Sequence, residues 1–198
     1  MNVLVGPPPA SLKLEWRVMV IGVTLSMPIS IRPMIDSDWP FIERGLCETN
    51  WQDLTEDQKL VLTKAESDRH IIEDFQRYLR TEQFKFRVFI ATALSGEPVG
   101  YISVGELQNP AVGLPLGGIL DFWVDPSFRR QGIGTRLLQY ALDYIASYGY
   151  SHASILVSVR NSAKRIYEKA GFYVDRQIMV KAIKPSNQQK RLHDQRSM

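Results

Sequence analysis

The chain has 198 residues, 24 Lys and Arg against 21 Asp and Glu for a formal net charge of +3, and 44% apolar residues. That length suffices for one well-buried core and is short for two, and the apolar and charged fractions are those of an ordinary globular domain. The positive excess sits largely in residues 181–196, so nucleic-acid binding is not strongly implied; the single cysteine, Cys47, excludes an intrachain disulfide or a cysteine-based metal cluster and fits a reducing compartment.

Residues 1–27 hold Pro7-Pro8-Pro9 and an apolar run, Val18-Met19-Val20-Ile21-Gly22-Val23. The run is far below the roughly 20 residues that a membrane span needs. Lys13 and Arg17 precede it, but no small-x-small cleavage site follows. The segment reads as a loosely attached or disordered N-terminal extension, with Met27 as an alternative start. An added strand or helix on the domain is the competing reading.

Ile29-Ser30-Ile31-Arg32-Pro33 alternates and predicts a first strand. Asp36-Ser37-Asp38-Trp39-Pro40 supplies capping side chains and a first-turn proline, so a helix should begin there and bury Phe41, Ile42, Leu46 and Cys47. Thr55-Glu56-Asp57-Gln58 has the form of a capping box, and Ile71, Ile72, Phe75 and Leu79 carry helical spacing to about Arg80. Residues 86–94 and 99–106 read as antiparallel strands about a Ser95-Gly96-Glu97 turn, with residues 107–116 as a surface loop.

Gly118-Ile119-Leu120-Asp121-Phe122-Trp123-Val124 is rich in β-branched and aromatic residues and is stopped by Pro126. After it come Arg129-Arg130-Gln131-Gly132-Ile133-Gly134-Thr135, then Ile133, Leu137, Leu138, Ala141 and Ile145 at helical spacing as far as Gly149. Two glycines at a helix start, with free amides and arginines beside them, point to an anion such as a diphosphate. No Gly-Lys-Ser/Thr follows, so this is not a P-loop, and Leu137 stands where a dinucleotide fingerprint has its third glycine. Ala153, Ile155, Val157 and Val159 predict another strand, residues 162–170 a helix ended by Gly171, residues 172–174 the start of a closing strand, and Ile178, Val180 and Ala182 a last one. The order is that of a mixed α/β domain over residues 28–184, followed by a disordered basic tail, residues 185–198.

At residues 161–172, Ala163, Tyr167, Gly171 and Phe172 match the late motif of the GNAT superfamily of N-acetyltransferases, which the chain resembles. Arg129, Gly132 and Gly134, after Val124 and Pro126, match the superfamily's acetyl-CoA motif, in the right order and with one helix and one strand between the two motifs. The resemblance covers roughly residues 29–183. It implies the acyl-CoA N-acyltransferase fold, a mostly antiparallel central sheet of six or seven strands flanked by about four helices. One departure is that the family's Asn falls at Arg160, with Asn161 one place later.

The resemblance also implies acetyl-CoA as co-substrate, a primary amine of a small molecule, polyamine or protein as acceptor, direct transfer in a ternary complex, and no metal. Cofactor contacts are expected from Trp123 and Val124, from Arg129, Arg130, Gln131, Gly132, Ile133, Gly134 and Thr135, and from Asn161 and Tyr167; Arg136 reads as part of a solvated basic rim. The N–H groups of Arg130 to Thr135 would hold the diphosphate, and a backbone N–H near Trp123 and Val124 would act as an oxyanion hole. Tyr167 is the expected general acid, against a plain core or rim tyrosine. Asp121 is the first candidate base, against a salt-bridged structural acid, and Glu106 is next. His70 reads as a surface residue and Cys47 as core.

Glu43, Glu48, Asp53, Glu56 and Asp57 make the region bordering the acceptor cleft acidic, either to favour a cationic amine or as a solvated face, and Trp51 either shapes that cleft or packs. A cytoplasmic location, no membrane contact and room for a homodimer complete the expectation. A CoA-binding regulatory module without catalysis is the alternative.

Overall fold

The computed structural model describes residues 28–80, 85–109, 113–161 and 163–181. The expected N-terminal extension, Ser162, Ala182 and the basic tail lie outside them. One mixed sheet runs through the described residues in the order β1 (Ile29–Pro33), β2 (Arg87–Ala93), β3 (Pro98–Asn109), β4 (Leu114–Val124) and β5 (Ala153–Ile155). The first four strands are antiparallel, and β5 joins β4 in parallel.

Helices cover both faces. On one face lie α1 (Trp39–Asp53) and α3 (Lys64–Arg80), joined through the single turn α2 (Glu56–Lys59). Their Ile42, Leu46 and Phe75 pack on Val88, Ile90, Tyr101 and Trp123. On the other face, α4 (Ile133–Ser147) and the short α5 (Lys164–Lys169) cover Phe89, Ile102, Val104 and Ile119 with Leu137, Leu138, Ala141 and Tyr167. Period-two alternation along β2, β3 and β4 feeds both cores, and each fully buried Leu or Ile contributes roughly 1.5–3 kcal/mol.

The local signals near the N-terminal side act as their chemistry dictates. Thr55 Oγ1 accepts from Gln58 N–H at 3.1 Å, and Gln58 Oε1 accepts from Thr55 N–H at 2.8 Å, closing the capping box of α2. Asp38 is only 4% exposed because Arg32 holds both of its oxygens, at 2.6 and 2.8 Å. Burial raises the Asp38 carboxyl, but the Arg32 and Ile35 hydrogen bonds outweigh it and hold the group below its ordinary range.

Several expectations are corrected. Five strands are present among the described residues instead of six or seven, and five helices instead of about four, because α2 and α5 are short separate pieces. Residues 107–109 and 114–117 extend the β3–β4 hairpin, so the long loop expected there is mostly ladder, with Leu107 opposite Leu116 and Gln108 opposite Pro115. Pro115 is tolerated because β5 reaches only to Gly117, leaving Pro115 on an open edge. Strand β5 stops at Ile155, and residues 172–181 form no strand; Leu156, Val159, Ile178 and Val180 are 72–90% exposed. Their alternation suits a strand, but a strand exists only where an edge receives it.

Candidate active site

Strands β4 and β5 pair only across Gly117–Ala153, Gly118–Ser154 and Ile119–Ile155. Beyond Ile119, β4 continues to Val124 while β5 has ended, which opens a cleft beside residues 120–124. Asp125 N–H donates to Val99 O at 3.0 Å. By antiparallel alternation, Asp121 and Trp123 then turn their amides and carbonyls toward β3, whereas Phe122 and Val124 turn theirs to the open side. Two of these open groups are already engaged by side chains. Phe122 N–H donates to Asp121 Oδ1 at 2.6 Å, and Arg129 Nε donates to Val124 O at 2.9 Å.

The loop at the end of β4 is shaped for an anion. Asp125 Oδ1 accepts from Ser127 N–H at 2.9 Å and starts a single 3-10 turn, Pro126–Phe128. Arg130 then takes φ 65° and Gly132 takes φ 79°, two left-handed residues within three positions. Such a reversal gathers successive N–H groups into a concave nest, and the unpaired first amides of α4 continue it. Gly132 suits this conformation; Arg130 is held in it at a cost of about 1–2 kcal/mol. Gly134 meets a second constraint, because a Cβ there would lie 3.0 Å from the Phe122 ring and 3.4 Å from Ile166. Arg129 and Arg130 are exposed beside the nest, Gln131 is half-buried, the Ile133 side chain is buried in the core, and Thr135 is exposed on the first turn of α4. Arg136 does not stand free on the rim; its guanidinium donates to Ile29 O at 2.8 Å and ties α4 to β1.

The opposite wall is α1. It crosses β4 closely at Gly45, where a Cβ would fall 2.6 Å from Tyr101 and 2.7 Å from Trp123. Arg44 stacks over Phe41 and Trp123 and pairs with Asp125 Oδ2 at 2.5 Å. One end of α1 is thereby fixed at the anion loop, and the other end, Asp53, arrives at the β5–α5 connection. There Arg160 donates to Asp53 O at 3.0 Å, and Asn161 Nδ2 donates to Asp53 Oδ2 at 3.2 Å. Asn161 Oδ1 also accepts from Ala163 N–H at 2.9 Å, so its amide organises the start of α5.

Within this frame Asp121 and Tyr167 face the same space. Burial is the main influence on Asp121; it outweighs hydrogen bonds from Phe122 N–H and the Tyr101 hydroxyl (3.2 Å), so the carboxyl is pushed up to about 6. No ion pair reaches Asp121 among the described residues, which removes the salt-bridged alternative there. Tyr167 is 4% exposed, packs on Phe122 and Phe172, and has no hydrogen bond to its hydroxyl among the described residues. Burial first, then the charges of Asp121 and Asp53, push that hydroxyl well above its ordinary range.

The remaining candidates lie elsewhere. Glu106 sits opposite Gly117 at the closed end of the cleft, bound by Tyr150 at 2.5 Å and Lys85 at 3.0 Å. His70 is exposed on α3. Cys47 is half-buried, and burial, then the charge of Asp68, raise its thiol, which disfavours a thiolate nucleophile. Trp51, on the last turn of α1, carries Lys59 over its ring at 5.7 Å. Sequence reasoning missed two participants, Tyr101 and Arg44. Neither carries a local signal, since Tyr101 meets Asp121 only through the β3–β4 register and Arg44 meets Asp125 across 81 positions. Among the described residues, no three His, Cys, Asp or Glu side chains are placed to hold a metal ion, and no helix is long and apolar enough to cross a membrane.

A sheet that splits beside β4, an amide-lined loop entering a helix, and a tyrosine on the following short helix define an acetyltransferase-type domain. The model of the acetyltransferase (GNAT) family matches residues 50–172, and the chain belongs to that family. An uncharacterised N-acetyltransferase of Methanocaldococcus jannaschii is 30% identical over 90 residues, which are 42% of this chain and 38% of that protein. The matched region thus spans well under half of the relative's length. The fold is also that of a putative acetyl transferase from Pyrococcus furiosus, with TM-score 0.68 and 21% identity over 79% of this chain and 100% of the other. AAC(6')-Iy, solved with the bisubstrate analog CoA-S-monomethyl-acetylneamine, gives TM-score 0.56 and 17% identity over 80% of this chain and 99% of the other.

Proposed function

We propose that this chain is an N-acetyltransferase that moves an acetyl group from acetyl-CoA directly to a primary amine in a ternary complex. The observation that carries the reading is the pairing, beside one open strand, of a carboxylate with no cation partner and a buried tyrosine whose hydroxyl makes no hydrogen bond among the described residues, next to a helix-start loop of concave amides. The relative solved with a CoA bisubstrate analog supports the choice of donor. The chemistry of the loop fits it as well: N–H groups from Arg130 to Thr135, the positive end of α4 and the Arg129 and Arg130 guanidiniums suit a diphosphate, and Gly132 and Gly134 leave the backbone approachable.

In this proposal the amine nitrogen gives up a proton to Asp121, directly or through water, and attacks the thioester carbonyl carbon. A carboxyl that titrates near 6 is ionised at neutral pH and still basic enough for the task. As the C–N bond forms, the carbonyl oxygen gains charge, and Val124 N–H, turned to the cleft, stabilises it. The C–S bond then breaks, and Tyr167 gives its hydroxyl proton to the departing thiolate. Burial and two nearby carboxylates keep that hydroxyl protonated until it is needed. The proton count closes when Asp121 releases its proton to solvent and Tyr167 regains one.

Asn161, with its amide bound to Asp53 and Ala163, holds the cofactor-side loop in this scheme. A cytoplasmic location accompanies the proposal, resting on the lone half-buried Cys47. The test is thiol release from acetyl-CoA over a panel of small amines and N-terminal and lysine peptides. Turnover with at least one amine supports the reading; acetyl-CoA binding without turnover across the panel favours the regulatory-module alternative.

A further inference from the structure

Tyr101 is 0% exposed, in a cluster with Ile42, Leu46, Ile90 and Trp123 where a phenylalanine would pack as well. A hydroxyl buried there costs free energy unless it is hydrogen-bonded. Its partner among the described residues is Asp121 Oδ2, at 3.2 Å. The β3–β4 register sets Ser103 opposite Asp121 and Tyr101 opposite Trp123, so Tyr101 is the diagonal neighbour of Asp121, within reach of a long side chain. The ring is clamped in that pose. Phe41 meets it edge-on with centroids 6.5 Å apart, Trp123 lies at 6.2 Å, and a Cβ on Gly45 of α1 would fall 2.6 Å from it.

The two carboxylate oxygens of Asp121 are thus held by two donors, Phe122 N–H on Oδ1 and the Tyr101 hydroxyl on Oδ2. Each oxygen keeps a lone pair free for a further proton. Burial first, then the charge of Asp121, raise the Tyr101 hydroxyl well above its ordinary range, so it stays a donor. The other titratable groups around the pair are Cys47, Glu48 and Asp53 on α1 and Tyr167 on α5. None of them bonds the Asp121 carboxylate among the described residues.

We infer that Tyr101 is a positioning residue for the transfer, its hydroxyl holding the Asp121 carboxylate toward the open edge of β4. This role rests on acetyl transfer with Asp121 as its base. A donor to the charged form of a carboxyl favours that form, so the hydroxyl opposes the burial that pushes Asp121 up to about 6.

The test is the pH profile of kcat/KM for an accepted amine. In wild type it should rise through about 6, a limb that Asp121→Asn removes. Tyr101→Phe keeps the ring and loses the donor, so its limb should move up by about one pH unit. Its KM for acetyl-CoA should be unchanged. Ser103→Ala removes a hydroxyl that bonds the main-chain oxygen of Asp121, at 3.4 Å, and should leave the limb in place. A ring-fluorinated tyrosine introduced at position 101 is a stronger donor of nearly the same size. It should move the limb down, and it keeps the test decisive if Tyr101→Phe does not fold. If wild type acetylates no amine, or lacks the limb that Asp121→Asn removes, the proposed reaction fails and the role of Tyr101 falls with it. If that limb is present and neither change at Tyr101 moves it as expected, only the positioning role is overturned. An equal displacement in Ser103→Ala would also overturn it, since strand packing instead of the hydroxyl would then set the limb.

Discussion

Asp121 accepts the N–H of its own neighbour, Phe122, at 2.6 Å, and so turns its carboxylate into the cleft instead of away from it. That bond sets the geometry of the proposed base, and burial sets its proton affinity. The sign of the consequence is clear. A carboxyl raised from 3.8 to about 6 in the fold favours the protonated form, so its contribution to stability is fully present below about pH 4 and is lost as pH rises through 6. At neutral pH the ionised group costs the native state on the order of 3 kcal/mol. Asp121→Asn should therefore raise the melting temperature at pH 7.5 while lowering kcat by about 100-fold or more. Wild-type kcat/KM should rise with pH through about 6, and the variant should lose that limb. A variant that is both less stable and fully active would overturn the assignment.

Tyr167→Phe removes only a hydroxyl that has no partner to lose. The fold should be undisturbed, acetyl-CoA affinity should be near wild type, and kcat should fall by roughly 100-fold, within the usual range for a general acid. Calorimetric binding and turnover, measured on one preparation, separate these. An unchanged kcat would remove the acid role.

Arg130 offers a separation of stability from affinity. At φ 65° it occupies a conformation that glycine adopts without strain, so Arg130→Gly relieves about 1–2 kcal/mol and gives back part of it as added freedom in the unfolded chain. The net expectation is a rise in melting temperature of a degree or two together with several-fold weaker acetyl-CoA binding, from loss of one cation beside the nest. Tighter binding in the variant would contradict the diphosphate reading of the loop.

Arg44 couples α1 to the loop that enters α4 through Asp125, which also caps the turn before Arg129. Arg44 is 52% exposed, so the pair itself contributes no more than about 1 kcal/mol. Arg44→Ala should raise KM for acetyl-CoA a few-fold with little change in kcat. Arg44→Lys should recover the charge but not the stacking over Phe41 and Trp123, and so rescue only in part. A change in kcat alone would place the effect elsewhere.

The local signals that could be read from the chain were those whose chemistry is complete within a few residues. The capping box at Thr55, the glycines at 132 and 134, and the paired motifs ending at Gly134 and Phe172 each define their own backbone demands, and the mixed α/β class follows from the order of periodic segments. Element ends were harder. Leu107 and Leu116 looked like loop because Asn109, Pro110, Gly113 and Pro115 lie between them, yet cross-strand partners hold them in the ladder. Ile178 and Val180 looked like strand, yet among the described residues no edge receives them.

By itself the sequence marked residues 129–135 as a glycine-bearing loop entering a helix, because two glycines and the apolar spacing after them are local facts of that stretch, whereas the left-handed turn at Arg130 came only with the structure. Tyr167 and Asp121 were singled out by the resemblance to the N-acetyltransferase superfamily, since neither residue carries a local signal of its own. Only the tertiary structure decided which backbone groups open to the cleft, since that depends on where β5 leaves β4 and on the pairing of Asp125 with Val99. It also set the proton affinities of Asp121 and Tyr167, both raised chiefly by burial. It also brought the end of α1 to the β5–α5 connection, where Arg160 and Asn161 bond Asp53. Charges separated by many residues come close only through the fold, and they interact more strongly where packing has excluded the water between them.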